Sequence, residues 1–259
     1  LAQALGHGSQ GILHVELTLG AAQVGAQDHG GAIVQQIPDK VALISGETEV
    51  TYSQLWDYCL RAAYKLQNDY HLQMGDRVIL SAAGNIEFVY VYFGVHLAGG
   101  LCVPIDPDTN QTRFNHIEAS TKPVCVMGTL HNVARETTPF SDVIDGTKKA
   151  VFTAPDMSEI ADILFTTGTT GAPKGVALSY LNLAAAARNI NEFIGNTADD
   201  VELLALPVSH SFGLGRMRCA LTTGATVVML GTFANVKKFF SEMKRSLDRK
   251  SGSAGMPRP

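Results

Sequence analysis

The sequence predicts an α/β fold: layered, parallel-rich sheets flanked by helices. Short apolar runs alternate in chain order with segments of helical periodicity, the pattern of strands joined by crossover helices. Gly and Pro punctuate the runs where strands should end. Finally, 259 residues with 46% hydrophobic and 17% charged side chains suffice for a full core without disulfide or metal staples.

Residues 1–31 are rich in Gly, Ala and Gln, show no firm periodicity, and read as a disordered or non-native leader. Regular structure is expected from about Lys40. Val41 to Ile44 and Glu49 to Tyr52 flank Ser45-Gly46-Glu47 and predict a hairpin. Leu55, Tyr58, Cys59, Ala62 and Leu66 recur at helical spacing and predict a helix over 53–67. A strand over 77–81, a helix over 86–97 stopped by Gly99-Gly100, and a strand over 101–105 follow. A short helix over 113–119 then leads to a strand over 124–127. These elements make a first α/β subdomain over 32–128, and the irregular residues 129–157 read as a connecting region. Alternation resumes in a second α/β subdomain over 158–247. It has strands at 160–165 and 175–179, an Ala-rich helix over 181–194, a strand at 202–205, a helix over 212–221, a strand at 226–230 and a helix over 236–247. Residues 248–259 have the composition of a disordered tail.

Charge and cysteine content exclude several classes. The net charge of −4 gives no reason to expect nucleic-acid binding. From Lys237 onward, seven Lys or Arg stand against two acids, and this basic end reads as a solvated helix face plus a tail. Cys59, Cys102, Cys125 and Cys219 are scattered without a C-x-x-C pair, so reduced thiols in a cytoplasmic protein are expected. No Lys or Arg precedes Lys40, and no secretory signal is expected. The most membrane-like stretch, 88–105, is interrupted by His96, Gly99-Gly100 and Pro104 and reads as helix, turn and strand, not as a transmembrane segment.

The strongest chemical signal is Thr166-Thr167-Gly168-Thr169-Thr170-Gly171-Ala172-Pro173-Lys174-Gly175. Gly168 and Gly171 let backbone N–H groups wrap an anion. The hydroxyls of Thr166, Thr167, Thr169 and Thr170 add donors for phosphate oxygens and oxygen ligands for Mg²⁺. Lys174 adds a positive charge, held by Pro173. The segment is not a Walker A loop, because Lys174 follows Pro173 and precedes Gly175, leaving no Gly-Lys-Ser/Thr.

With the preceding Asp162-Ile163-Leu164-Phe165, this segment resembles the signature phosphate loop of the adenylate-forming enzymes, which include acyl-CoA synthetases. Leu97 to Pro107 is similar to their upstream conserved segment, and Pro207-Val208-Ser209-His210-Ser211-Phe212-Gly213-Leu214-Gly215 to their acyl-site segment. The resemblance spans about Pro38 to Arg245. It implies ATP-dependent activation of a carboxylic acid to acyl-AMP, followed by transfer to coenzyme A. It also implies Thr166 as a Mg²⁺ ligand, Lys174 as the cation at the departing pyrophosphate, and His210 beside the bound acid. Relatives that activate amino acids carry an aspartate in the acyl-site segment to pair with the α-ammonium. Residues 203–215 contain no Asp or Glu, so a fatty or aromatic acid without an α-amino group is expected. Phe212 is either an acyl-pocket wall or a core residue. Arg216 and Arg218 either neutralise phosphate or face solvent. Asp106 reads as a turn residue, and Asp199-Asp200 as solvated. The family's later segments and its mobile C-terminal catalytic domain have no counterpart in 246–259, so the chain is expected to be an N-terminal portion with little adenylating activity alone. The rival readings are a non-catalytic nucleotide-binding module and an adenylating domain that loads a carrier-protein thiol.

Overall fold

A computed structural model describes residues 36–151, 156–166, 173–231, 237 and 239–245. The expected leader, the tail and most of the phosphate loop lie outside these residues.

The first hairpin is β1 (Val41–Ser45) and β2 (Thr48–Thr51), followed by α1 (Tyr52–Asn68). Tyr52 belongs to the helix and not to the strand, because Thr51 and Gln54 form a capping box immediately before it. β3 (Arg77–Ser81), α2 (Ile86–Leu97), β4 (Leu101–Ile105), α3 (Gln111–Thr121) and β5 (Cys125–Met127) complete the first stretch. Asn85 and Asn110 accept the capping bonds that start α2 and α3, so α3 begins two residues before Arg113. The region 129–157 holds a short helix, α4 (Phe140–Ile144), too brief for its periodicity to be read. β6 (Ile160–Thr166), β7 (Lys174–Ser179), α5 (Tyr180–Ile194), β8 (Val201–Leu204), α6 (Ser211–Thr222) and β9 (Thr226–Met229) follow. Residues 239–245 are helical, and Arg245 there is ion-paired with Glu47 at 2.9 Å.

Two sheets form, with strand orders β2-β1-β9-β8 and β5-β3-β4-β6-β7. Among the described residues, only β1–β2 and β6–β7 pair antiparallel. Each sheet draws strands from both sides of 129–157. The sequence blocks 32–128 and 158–247 therefore do not build a sheet each, since β1 finds its parallel partner in β9 and β4 finds one in β6.

Strand alternation divides the buried side chains between layers. Leu43, Val78, Leu80, Cys102, Val227 and Met229 face a central core shared with α1, α2 and α6. Ile79, Val103 and Val126 point the other way, toward α3, while Ile44 and Val228 point toward Phe239. Helix α2 is buried on every side, as its uniform hydrophobicity requires. It touches β1 of one sheet and β3 and β4 of the other, which places it between them.

Helices α1 and α2 approach closely at Gly94, where an added Cβ would lie 2.6 Å from Ala62 Cβ and 3.3 Å from the Cys59 carbonyl oxygen. Gly94→Val should therefore force the helices apart and destabilise the fold by about 1–3 kcal/mol, read as a lower urea midpoint at unchanged m-value.

Candidate functional site

The β6–β7 hairpin holds the two described ends of the Gly/Thr loop opposite each other. Thr166 and Lys174 are register partners, so their side chains leave the same face of the pair. Both are exposed, and among the described residues Thr166 Oγ1 makes only a long 3.5 Å contact, to the Lys174 carbonyl. A hydroxyl and an ammonium are thus available together at the loop mouth. Thr167, Gly168, Thr169, Thr170 and Gly171 lie outside the described residues.

Helix α3 fastens both ends of this loop, which the sequence did not suggest. The Arg113 guanidinium donates to the Phe165 carbonyl at 3.1 Å, and His116 Nε2 donates to the Pro173 carbonyl at 2.9 Å. Their three-residue spacing puts both on one helix face. That spacing was the only signal available, and nothing in the sequence says what lies opposite.

His210 is the N-cap residue of α6, exposed and making no side-chain capping bond. The turn before it is tight because Gly213 sits against the Pro207 carbonyl: an added Cβ would lie 2.3 Å from that oxygen. Phe212 is 66% exposed, which removes the core reading of this ring. Among the described residues, no hydrogen bond joins His210 to Thr166 or Lys174. The structure brings Thr166 and Lys174 together, and leaves His210 on a separate element.

Neither arginine faces solvent freely: each is paired with a carboxylate of the chain. Arg216 binds Glu202 in a two-pronged pair, at 3.2 and 2.5 Å. Arg218 is buried and donates from one guanidinium nitrogen to Asp162 Oδ2 at 2.9 Å and to Tyr92 Oη at 2.8 Å. Asp162 is fully buried and also accepts from Tyr92 Oη at 2.9 Å and bonds His96 Nε2 at 3.1 Å. Burial by itself would raise the Asp162 pKa, but the bond from His96, the Arg218 charge and the Tyr92 hydroxyl outweigh it and hold the carboxyl below its ordinary value. Asp106 accepts from the Asp108 amide at 2.8 Å, and Asp200 accepts from the Thr197 amide at 2.7 Å, both as local loop contacts.

The AMP-binding enzyme family model matches residues 32–247. The chain belongs to the AMP-binding enzyme family. It is 26% identical to an oxalate–CoA ligase of Arabidopsis thaliana over 82% of this chain and 46% of that protein. It is 26% identical to a medium-chain fatty-acid–CoA ligase of Escherichia coli over 80% of this chain and 42% of that protein. ATP-bound MatB from Rhodopseudomonas palustris superposes with a TM-score of 0.73 at 25% identity, covering 82% of this chain and 46% of that one. The chain thus spans less than half the length of each. The family's α/β fold and AMP-forming acid–thiol ligase character match what the loop, upstream and acyl-site motifs implied. No described helix is long and apolar enough to cross a membrane.

The buried carboxylate generates a test. Asp162→Ala leaves Arg218 buried without its counter-charge and should cost about 3–5 kcal/mol in chemical denaturation. Because the folded-state pKa of Asp162 is depressed, its contribution is present above the unfolded carboxylate value near 4 and is lost as pH falls through the lower folded value. Asp162→Asn should therefore flatten the loss of stability on acidification below about pH 5, measured as thermal midpoint against pH.

Proposed function

We propose that this chain carries the phosphate-loop and acid-side portion of an ATP-dependent, AMP-forming carboxylic acid ligase. The reaction joins the acid's carboxylate to the α-phosphate of ATP, releasing pyrophosphate, and then moves the acyl group to the thiol of coenzyme A. The observation that carries this reading is the exposed Thr166–Lys174 pair at the mouth of the Gly/Thr hairpin. The matched family and the CoA ligases among its relatives support it.

The chemical obstacle is the approach of one anion to another, so the protein's task is positioning and charge neutralisation. Lys174 neutralises the departing pyrophosphate. The amides and hydroxyls of Thr167, Gly168, Thr169, Thr170 and Gly171 surround the phosphates. Thr166 fits as a Mg²⁺ ligand because it offers an exposed hydroxyl oxygen, a hard donor of the kind that ion takes, with no short competing bond among the described residues. Bound there, Mg²⁺ would supply further charge neutralisation at the phosphate oxygens.

His210 and Phe212 face solvent from the start of α6, and in this reading they border the acid. The acid is a fatty or aromatic one without an α-amino group. An α-ammonium needs a counter-charge, residues 203–215 hold none, and adjacent Glu202 is taken by Arg216.

The test is acid-dependent exchange of pyrophosphate into ATP, assayed in the protein carrying this segment and in the 259-residue chain alone. The protein should exchange with medium-chain or aromatic acids and not with amino acids, and the chain alone should be nearly inactive. An ammonium about 4 Å from a developing charge is worth roughly 4 kcal/mol at an effective dielectric near 20, so Lys174→Ala should slow exchange by about a thousandfold. Thr166→Ala should raise the Mg²⁺ concentration needed for half-maximal rate. Release of ADP in place of AMP would overturn the assignment.

A further inference from the structure

The buried Tyr92–His96–Asp162–Arg218 cluster has no part in the chemistry proposed above, yet it lies where two site-bearing elements cross. Asp162 is on β6, in the five-stranded sheet. Arg218 is on α6, which packs on β8 and β9 of the four-stranded sheet. Tyr92 and His96 come from α2, between the sheets.

From this crossing, each element runs outward to a residue of the site. Four residues of strand separate Asp162 from Thr166, about 13 Å at ~3.3 Å per residue. Eight residues of helix separate Arg218 from His210, about 12 Å at 1.5 Å per residue. Strand and helix are both unbroken over these stretches, so the crossing is a pivot with two rigid arms of similar length.

The cluster does not read as a metal site. His96, Cys102 and Asp162 present ligand atoms within 4.8 Å of one another, but the Arg218 guanidinium already sits on the same carboxylate. Burial also pushes the Cys102 thiol well above its ordinary pKa and keeps it protonated, unlike a ligating thiolate. Nor is stability an adequate reason for the pair, since burying two charges generally gains little over apolar side chains of equal volume. What a buried pair can supply is registry.

We propose that the Asp162–Arg218 ion pair, bridged by the Tyr92 hydroxyl, sets the separation between the phosphate-loop mouth and the start of the acyl-site helix. Asp162 and Arg218 are then positioning residues for adenylation, acting through β6 and α6 without touching ATP or the acid. This inference rests on the reading of Thr166, Lys174 and His210 given above.

The test uses Asp162→Asn combined with Arg218→Met, which leaves no buried charge and keeps an acceptor oxygen for Tyr92. Nitroxide labels at Lys174→Cys and Ser211→Cys report the separation by dipolar spectroscopy. Cys59, Cys102 and Cys219 are buried, and the Cys125 thiol is pushed up to about 12, so the introduced thiols label selectively at neutral pH. The parent should give a narrow distance distribution and the double variant a broad or displaced one at a similar thermal midpoint. A purely structural role would not produce that change in a folded protein. With Lys174 and Ser211 restored, kcat for exchange should fall about ten- to a hundredfold while KM for ATP stays within about threefold. A folded double variant with an unchanged distribution overturns the proposal, and so does a broadened one that exchanges at the parental rate. These exchange assays use the protein carrying this segment, not the 259-residue chain alone; absence of exchange in that parental protein would instead overturn the function proposed above, and the label distances would still decide whether the pair sets the separation. Should the double variant not fold, Tyr92→Phe, which removes only the bridging hydroxyl, is read in the same way.

Discussion

A carboxylate with no solvent exposure has to find its donors inside the protein, and Asp162 finds them on two helices. That requirement ties β6 to α2 and α6, and through them ties one sheet to the other. Tyr92 Oη both donates to Asp162 and accepts from Arg218, so the carboxylate, the phenol and the guanidinium close into one ring of contacts. Such networks are demanding because each member loses its partner if another moves. The arrangement of the central layer is correspondingly well determined.

The exposed site is built outward from this buried one. β6 leaves the core and ends at Thr166, where α3 grips the carbonyls of Phe165 and Pro173 on either side of the loop. Helix α6 ends at His210, behind a turn that only Gly213 permits. Secondary-structure elements fix positions better than loops do, which suits the ends of the proposed phosphate loop. Here a strand, a helix and two side-chain clamps share that task.

The relatives show how far one scaffold can be shared by enzymes named for unlike acids, from oxalate to medium-chain fatty acids. Fold membership therefore carries the reaction type further than it carries the substrate. In this chain the segment proposed to face the acid is defined as much by what is already paired as by what is exposed. Arg216 is held by Glu202 and Arg218 by Asp162, so each guanidinium already has a carboxylate of this chain as its counter-charge. Exposed His210 and Phe212 remain at the start of α6.

Local chemistry made most of the elements legible. Short apolar runs marked the strands, helical spacing marked α1, and the Thr, Asn and Ser caps account for the residue or two by which the starts of α1, α3 and α5 were misjudged. The Thr166–Gly175 motif was legible in its residue types, whereas the His210 segment was legible only through its resemblance to the adenylate-forming enzymes. The interleaving of both sheets across 129–157, the grip of Arg113 and His116 on the loop, and the partners of Asp162 were decided only in three dimensions. Those partners lie 56, 66 and 70 residues away along the chain. A sequence pattern reports on neighbours within a turn or a strand, whereas a buried charge is satisfied by whatever donor the packing of distant elements delivers to it.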